Sequence, residues 1–187
     1  GAAIRRLLDS GADGIILPNV QSVKEVQQFI DWTQFPPEGK RSFGVSRAHG
    51  YGFDFDTYVE GWNERSVLII QIESEAGVQA TESLLASKDI AGAMVGPYDI
   101  SGSLGVPGQL DHPKVQEACQ HVIEACRKLG KACGTQVVDP QPQNVQEALG
   151  AGYTFVVLAS DVFLLWKWGE RMRGLIQQVR QPSEEIS

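Results

Sequence analysis

The sequence has few cysteines and no start typical of a secreted protein. It contains three cysteines in 187 residues. Cys119 and Cys126 fall at helical spacing, which puts them about 10 Å apart along a helix axis, too far for a disulfide. Residues 1–6 (GAAIRR) lack the apolar core of a signal peptide. Both observations predict reduced thiols in a cytoplasmic protein.

The sequence also lacks concentrated positive charge and long apolar runs. Its formal net charge is −7, and its 16 lysines and arginines form no cluster. This charge pattern argues against nucleic acid or an anionic membrane surface as a partner. No apolar run approaches the roughly 20 residues of a transmembrane helix.

The sequence repeats one pattern: an amphipathic helix, a turn containing glycine, and a short apolar strand. Residues 2–17 and 145–158 are two copies of it. Strands that alternate with helices predict an α/β fold with a parallel sheet. With 42% hydrophobic residues and no linker, the chain is expected to form a single domain over residues 1–180. Residues 181–187 form a polar C-terminal tail.

The number of strands favours an incomplete barrel of the TIM (β/α)8 type. Six parallel strands are predicted, at residues 15–18, 43–45, 67–73, 93–97, 132–137 and 155–159. A complete (β/α)8 barrel takes roughly 250 residues. The shortfall corresponds to about two βα units at roughly 30 residues each.

Two of the predicted strands end on a carboxylate. Glu73 ends the apolar run 67–72, and Asp99 follows the next run after Gly96 and Pro97. Active sites of parallel α/β folds lie at the carboxyl ends of the strands. Two acids there can share a divalent cation through oxygen ligands. Either acid alone could instead cap a helix or pair with a basic residue. Glu75 is a competing ligand, although it is better placed to begin the following helix.

The same residues carry a resemblance to a known family. Residues 71–78 (QIESEAGV) and 95–115 (VGPYDISGSLGVPGQLDHPKV) resemble the HpcH/HpaI aldolase family, within the citrate-lyase-like phosphoenolpyruvate/pyruvate barrel superfamily. The similarity runs from about residue 7 to residue 172. It implies a class II aldolase that cleaves a 4-hydroxy-2-oxo acid to pyruvate and an aldehyde through a metal-stabilised enolate. The implied cofactor is Mg²⁺, Mn²⁺ or Co²⁺.

The resemblance also implies roles for individual residues. Glu73 and Asp99 would bind the metal. Arg41, which follows the Pro-Pro-x-Gly turn at 36–39, would stabilise the enolate oxygen, unless it is a surface arginine. Gln71 shares a strand face with Glu73 and would bind substrate, or be a barrel-interior glutamine satisfied by its neighbours. The segment Gly96, Pro97, Tyr98 would hold the substrate carboxylate through backbone amides of residues 98 and 99. A homo-oligomer, trimer or hexamer, would form through the C-terminal helix, which is apolar around much of its circumference.

A general base is the missing element of this assignment. The family uses a histidine near the end of an early strand, and the sequence has no counterpart to that strand. His112 and His121 fall on a helix, and His49 falls in a loop that could reach the substrate. Two alternatives therefore stand beside the aldolase. One is a non-catalytic or fragmentary barrel that binds metal and oxo acid, and the other is a related pyruvate-enolate decarboxylase.

Overall fold

A computed structural model describes residues 1–180 of the chain, and the predicted polar tail at 181–187 lies outside the described residues. Five strands occur within residues 1–180: β1 Gly14–Leu17, β2 Val67–Ile72, β3 Gly92–Val95, β4 Ala132–Val137 and β5 Phe155–Leu158. The same residues form eight α-helices: α1 Ala2–Asp9, α2 Val23–Thr33, α3 Phe55–Arg65, α4 Glu75–Leu84, α5 Pro97–Ser103, α6 Pro113–Lys128, α7 Pro142–Ala151 and α8 Asp161–Arg180. A 3-10 helix at Arg47–Gly52 precedes α3.

The strands form one parallel sheet in the order β1-β2-β3-β4-β5. Every strand pairs with the next strand along the chain, with Ile70 opposite Ala93 and Gly134 opposite Phe155. A sheet that adds strands in sequence order, with helices in the connections, is the arrangement of a (β/α) barrel. The sheet curls as part of such a barrel, and the α/β prediction is confirmed at this level.

The prediction of a sixth strand at residues 43–45 is wrong. The structure has neither helix nor strand between residues 39 and 46, and β1 pairs directly with β2, which leaves no place between them. Phe43 instead stacks on Phe35 at 5.0 Å between ring centroids, and Val45 is 72% exposed. The sheet therefore falls three strands short of an eight-stranded barrel, rather than two.

The two faces of β2 have different surroundings. Leu68, Ile70 and Ile72 are fully buried beneath the helices that cover the outer face of the sheet. Side chains alternate along a strand, so Gln71 and the following Glu73 point to the inner face. Both are half-buried. Hydrophobic burial on the outer face thereby fixes two polar side chains at the inner, carboxyl end of the strand.

Polar side chains cap several helices where the sequence indicates a helix start. Helix α2 begins with a capping box, in which the Ser22 hydroxyl accepts from the Glu25 amide and the Glu25 carboxylate accepts from the Ser22 amide. Helix α6 is capped by His112, whose Nδ1 accepts from the Lys114 amide at 3.2 Å. Among residues 1–180, none of the helices is both long enough and apolar enough to cross a membrane.

Candidate active site

Gln71 and Glu73 form a hydrogen-bonded pair at the carboxyl end of β2. The Gln71 side-chain amide donates to Glu73 Oε2 at 2.7 Å. The Gln71 carbonyl accepts from the Val20 amide at 3.2 Å, so the segment after β1 is tied to the end of β2. A charged acceptor makes the side-chain bond short and strong. The pair holds the Glu73 carboxylate in one orientation at the inner edge of the sheet.

The environment of Glu73 opposes its negative charge. Burial raises the pKa of Glu73, the nearby Asp99 carboxylate raises it further, and hydrogen bonds from the Asn19 backbone and from Gln71 partly offset both effects. A carboxylate whose charge is opposed by burial and by a second carboxylate would be stabilised by a nearby cation. The sharing of a divalent ion by these two acids stays a prediction.

Gly96 allows β3 to lie close to these side chains. A Cβ atom added at Gly96 would lie 2.8 Å from Glu73 Cβ, 3.0 Å from Glu73 Oε2 and 3.4 Å from Gln71 Nε2. Any side chain at residue 96 would therefore displace the hydrogen-bonded pair. The absence of a Cβ at this position is a requirement of the site geometry.

Helix α5 begins directly after Gly96 and carries Asp99 in its first turn. Pro97 occupies the first turn, where its missing N–H costs no helical hydrogen bond. The amides of Tyr98 and Asp99 lie in the same turn, where backbone N–H groups have no intrahelical acceptor. Asp99 is exposed, and the Tyr98 ring packs against Gly108. This geometry offers amide donors and a carboxylate on one side of the cleft.

A cleft with a volume of about 430 Å³ opens beside these residues. Its polar lining includes Gln71, Gly96, Asp99 and Gln136. The rest of its lining is mainly apolar, and comes from β3, from the start of α5, from the α5–α6 and β4–α7 connections and from α8: Met94, Val95, Pro97, Tyr98, Leu110, Val138, Phe163 and Trp166. The structure thus brings Gln71, Gly96, Pro97, Tyr98 and Asp99 to one cleft, with Glu73 bonded to Gln71 at its edge.

Three lining residues are not among those that the sequence patterns single out as functional. Gln136 lies near the carboxyl end of β4, as Gln71 does on β2, and a polar residue at a strand end is the sequence signal for it. Phe163 and Trp166 belong, by sequence, to an apolar helix without further distinction. Because they come from the far end of the chain, only the packing of α8 reveals that they border the cleft.

Arg41 does not lie with these residues. Its guanidinium is 4% exposed and donates to Asp9 Oδ1 and to the Tyr58 hydroxyl, both at 3.1 Å. The guanidinium carbon lies 4.7 Å from the centroid of the Phe35 ring and 4.5 Å from that of Trp62. Asp9 ends the helix that leads into the amino end of β1, whereas Glu73 follows the carboxyl end of β2. The structure thus encloses the Arg41 side chain in an aromatic cluster, paired with Asp9, and does not bring it to the cleft. Its role at the enolate oxygen stays a prediction.

Glu75 and the histidines also lie outside the cleft lining. Glu75 is the first residue of α4, as expected, and its carboxylate accepts from Gln79. His49 is 3% exposed and contacts the Gly44 carbonyl through Nε2 at 2.9 Å. His112 caps α6, and His121 is exposed on the same helix. Among the described residues that line the cleft, none is a histidine.

The residues present fit a hard divalent cation with an incomplete protein ligand set. Within residues 1–180, no three His, Cys, Asp or Glu side chains converge on one point that could hold a metal ion. Glu73 and Asp99 supply two carboxylates, one fewer than such a set of three. Mg²⁺-type ions are commonly bound by one or two carboxylates, with water and substrate oxygens completing the shell. Such a site leaves room for a chelating substrate.

Two curated proteins illustrate the similarity of the chain to known sequences. A hydroxypyruvate/pyruvate aldolase from Roseobacter denitrificans is 34% identical over 177 residues, which cover 94% of this chain and 68% of that protein. A 2-keto-3-deoxy-L-rhamnonate aldolase from Salmonella paratyphi B is 35% identical over 165 residues, covering 87% of this chain and 61% of that protein. The chain thus spans 61 to 68% of the length of these relatives.

Solved structures and a family model agree with these sequence matches. An HpcH/HpaI aldolase from Desulfitobacterium hafniense superposes with a TM-score of 0.85 at 27% identity, covering 99% of this chain and 71% of that one. A Burkholderia cenocepacia protein of the HpcH/HpaI aldolase/citrate lyase family gives 0.83 at 30% identity, with 95% and 69% covered. The family model for HpcH/HpaI aldolase/citrate lyase matches residues 1–167. The chain therefore belongs to the HpcH/HpaI aldolase/citrate lyase family, a family of carbon–carbon lyases, as its two motifs indicate.

Proposed function

We propose that this chain carries the metal and oxo-acid site of a class II aldolase that cleaves a 4-hydroxy-2-oxo acid to pyruvate and an aldehyde. The observation that carries the proposal is the placement of two carboxylates close enough for the charge of Asp99 to raise the pKa of Glu73, beside Gln71 and an adjoining cleft. The names of two relatives, both aldolases of oxo acids, support the reaction class.

Glu73 and Asp99 would hold the cation in this proposal, as Mg²⁺, Mn²⁺ or Co²⁺. When bound, such an ion supplies a Lewis acid that stabilises negative charge on a keto oxygen. In the cleavage the C4 hydroxyl loses its proton, the C3–C4 bond breaks, and C3 takes up a proton as pyruvate forms. Electron density passes through the C2 oxygen on the way, which is where stabilisation lowers the barrier.

The remaining residues of the site would bind and orient the substrate. The amides of Tyr98 and Asp99 would donate to the substrate carboxylate, as first-turn amides do at other helix-entry anion sites. Pro97 has no backbone N–H to donate. Together with Gly96 it would instead determine how closely the backbone approaches the substrate. Gln71 orients the Glu73 carboxylate through its 2.7 Å hydrogen bond and forms part of the cleft wall.

A second candidate is binding of metal and oxo acid without turnover. It is favoured by one observation: the described lining of the cleft contains no histidine, and His49 is buried away from it among Gly44, Ser46 and Gly52. Loss of a general base costs roughly 10² to 10⁴ in rate. The aldolase and the non-catalytic binder would use the same site, and only the aldolase would transfer protons to and from the substrate.

Two measurements on this chain separate the candidates. Titration with Mn²⁺, followed by the electron paramagnetic resonance of the free ion, tests the metal site. Exchange of the C3 hydrogens of pyruvate with D₂O, followed by proton NMR, tests proton transfer at the enolising carbon. Chelator-sensitive exchange supports the aldolase, and Mn²⁺ binding with no exchange supports the binder. Absence of Mn²⁺ binding contradicts both.

We further propose that α8 forms a contact between copies of this chain. The helix exposes apolar side chains along its length, including Leu165 at 71% and Val179 at 78% exposed. Contiguous exposed apolar surface is typical of a protein–protein contact. A trimer or hexamer, and a cytoplasmic location, remain predictions that sedimentation analysis and localisation of the tagged protein would test.

A further inference from the structure

The cleft beside Glu73 and Asp99 is lined by two chemically different groups of side chains. The polar group is Gln71, Asp99 and Gln136. Four apolar side chains come from the α5–α6 loop, the β4–α7 loop and α8, and together we call them the apolar wall: Leu110, Val138, Phe163 and Trp166. Three of them are considerably exposed, with 40% of Leu110, 37% of Val138 and 51% of Trp166 accessible. Apolar surface that borders a polar site is covered when a ligand of matching character binds.

The apolar wall is held in position by contacts of α8. Lys167 pairs with Asp139 at 3.6 Å and with Glu170 at 3.2 Å, and Asp139 immediately follows Val138. The Phe163 and Trp166 rings lie 6.4 Å apart between centroids, in van der Waals range of one another on the same side of the helix. The Lys167–Asp139 pair therefore connects the two segments that supply most of the wall.

We infer that the aldehyde half of the substrate is apolar and bulky, an aromatic or branched aliphatic group, and that Trp166 and Phe163 select it. This inference rests on the proposed function, because it places the pyruvate half at Glu73, Asp99 and Gln71. The substituent on C4 then extends toward the apolar wall. Gln136 is the only side-chain amide besides that of Gln71 in the described lining. A polyhydroxylated aldehyde would leave most of its hydroxyl groups facing hydrocarbon, which disfavours it.

The test compares oxo acids that cannot be cleaved, because they lack a C4 hydroxyl group. Binding of 4-phenyl-2-oxobutanoate, 2-oxobutanoate and 2-oxoglutarate is measured by calorimetry in the presence of Mn²⁺. We expect the phenyl compound to bind at least tenfold more tightly than 2-oxobutanoate, and 2-oxoglutarate to bind least tightly. Trp166→Ala should remove most of this preference while the affinity for 2-oxobutanoate stays within about twofold.

Trp168→Ala is the matched control. Trp168 lies on the same helix, is 57% exposed and packs under Arg171, outside the cleft lining. It should leave the preference unchanged. Phe163→Ala is a second test should Trp166→Ala fail to fold, as judged by circular dichroism. Equal binding of the phenyl compound and 2-oxobutanoate, or a preference that survives both substitutions, overturns the inference and leaves the proposed function standing. Failure of all three oxo acids to bind overturns both.

Discussion

The substitution Gly96→Ala tests the site geometry most directly. The added Cβ would lie 2.8 Å from Glu73 Cβ and 3.0 Å from Glu73 Oε2. Glu73 Cβ is fixed to the end of β2, so rotation of the side chain cannot relieve the closer of these contacts. Either the start of α5 or the end of β2 must move, and either shift separates Glu73 from Asp99.

The magnitude follows from the cost of overpacking. Forcing an extra methyl group into a closely packed position costs about 1–3 kcal/mol. If the metal site bears that cost, the affinity for Mn²⁺ falls by roughly 5- to 150-fold, at 1.4 kcal/mol for each factor of ten. The assay is a Mn²⁺ titration of the wild-type chain and the variant, with free Mn²⁺ measured by electron paramagnetic resonance.

Gly102→Ala is the matched control, because Gly102 lies in the same helix and a Cβ there meets no atom within 4 Å. Alanine in an exposed helical position stabilises a helix by about 1 kcal/mol relative to glycine. The control should therefore bind Mn²⁺ as the wild type does, with equal or greater thermal stability. If Gly96→Ala bound Mn²⁺ with wild-type affinity, the reasoning would be refuted, because a methyl group placed against Glu73 would then have no effect on metal binding.

Three further predictions concern other parts of the molecule. Glu73→Gln should abolish Mn²⁺ binding. Burial and Asp99 raise the pKa of Glu73, so the folded chain keeps the Glu73 carboxyl protonated to a higher pH than the unfolded chain does. The free energy of unfolding of the wild type therefore falls as pH rises through the raised pKa. With chelator present, the melting temperature of Glu73→Gln relative to wild type should accordingly be higher at pH 8 than at pH 5, and a pH-independent difference would contradict this. Arg41→Ala should lower the free energy of unfolding by about 3 kcal/mol, because it removes a buried, paired charge. Its affinity for Mn²⁺ should stay within twofold of the wild type. Loss of Mn²⁺ affinity in a fully folded variant would indicate that Arg41 does contribute to the metal site. Leu165→Glu should reduce the sedimentation coefficient if α8 joins subunits, and an unchanged coefficient would argue against that contact.

The parts of the fold that depend on local sequence could be predicted. The parallel α/β architecture follows from alternating helices and apolar strands, and the α2 capping box follows from Ser22 and Glu25 alone. The carboxyl ends of β2 and β3 are marked by the runs that end near Glu73 and Asp99. Because the two strands pair in register, these acids come together without reference to any distant part of the chain.

The parts that depend on distant packing could not be predicted. Phe43 and Val45 have the composition of a strand, but β1 and β2 already pair with one another. Arg41 follows a turn that suits a functional arginine, yet its surroundings come from Tyr58 and Trp62, about 20 residues away along the chain. No local pattern distinguishes a guanidinium enclosed by aromatic rings from one that faces a substrate.

The closeness of Gly96 to Glu73 has a consequence for how the site assembles. Glu73 follows β2, and Gly96 and Asp99 lie at the start of α5 just beyond β3, so their closeness depends on the pairing of these two strands. A slip of one residue in β2 would turn Gln71 and Glu73 toward the hydrophobic layer. In the proposed site, an ion held by both acids would bind only when the two strands are correctly paired. Its binding free energy would then add to the stability of that pairing, by an amount that grows with ion concentration. A higher cation concentration would therefore favour the correct pairing of β2 with β3.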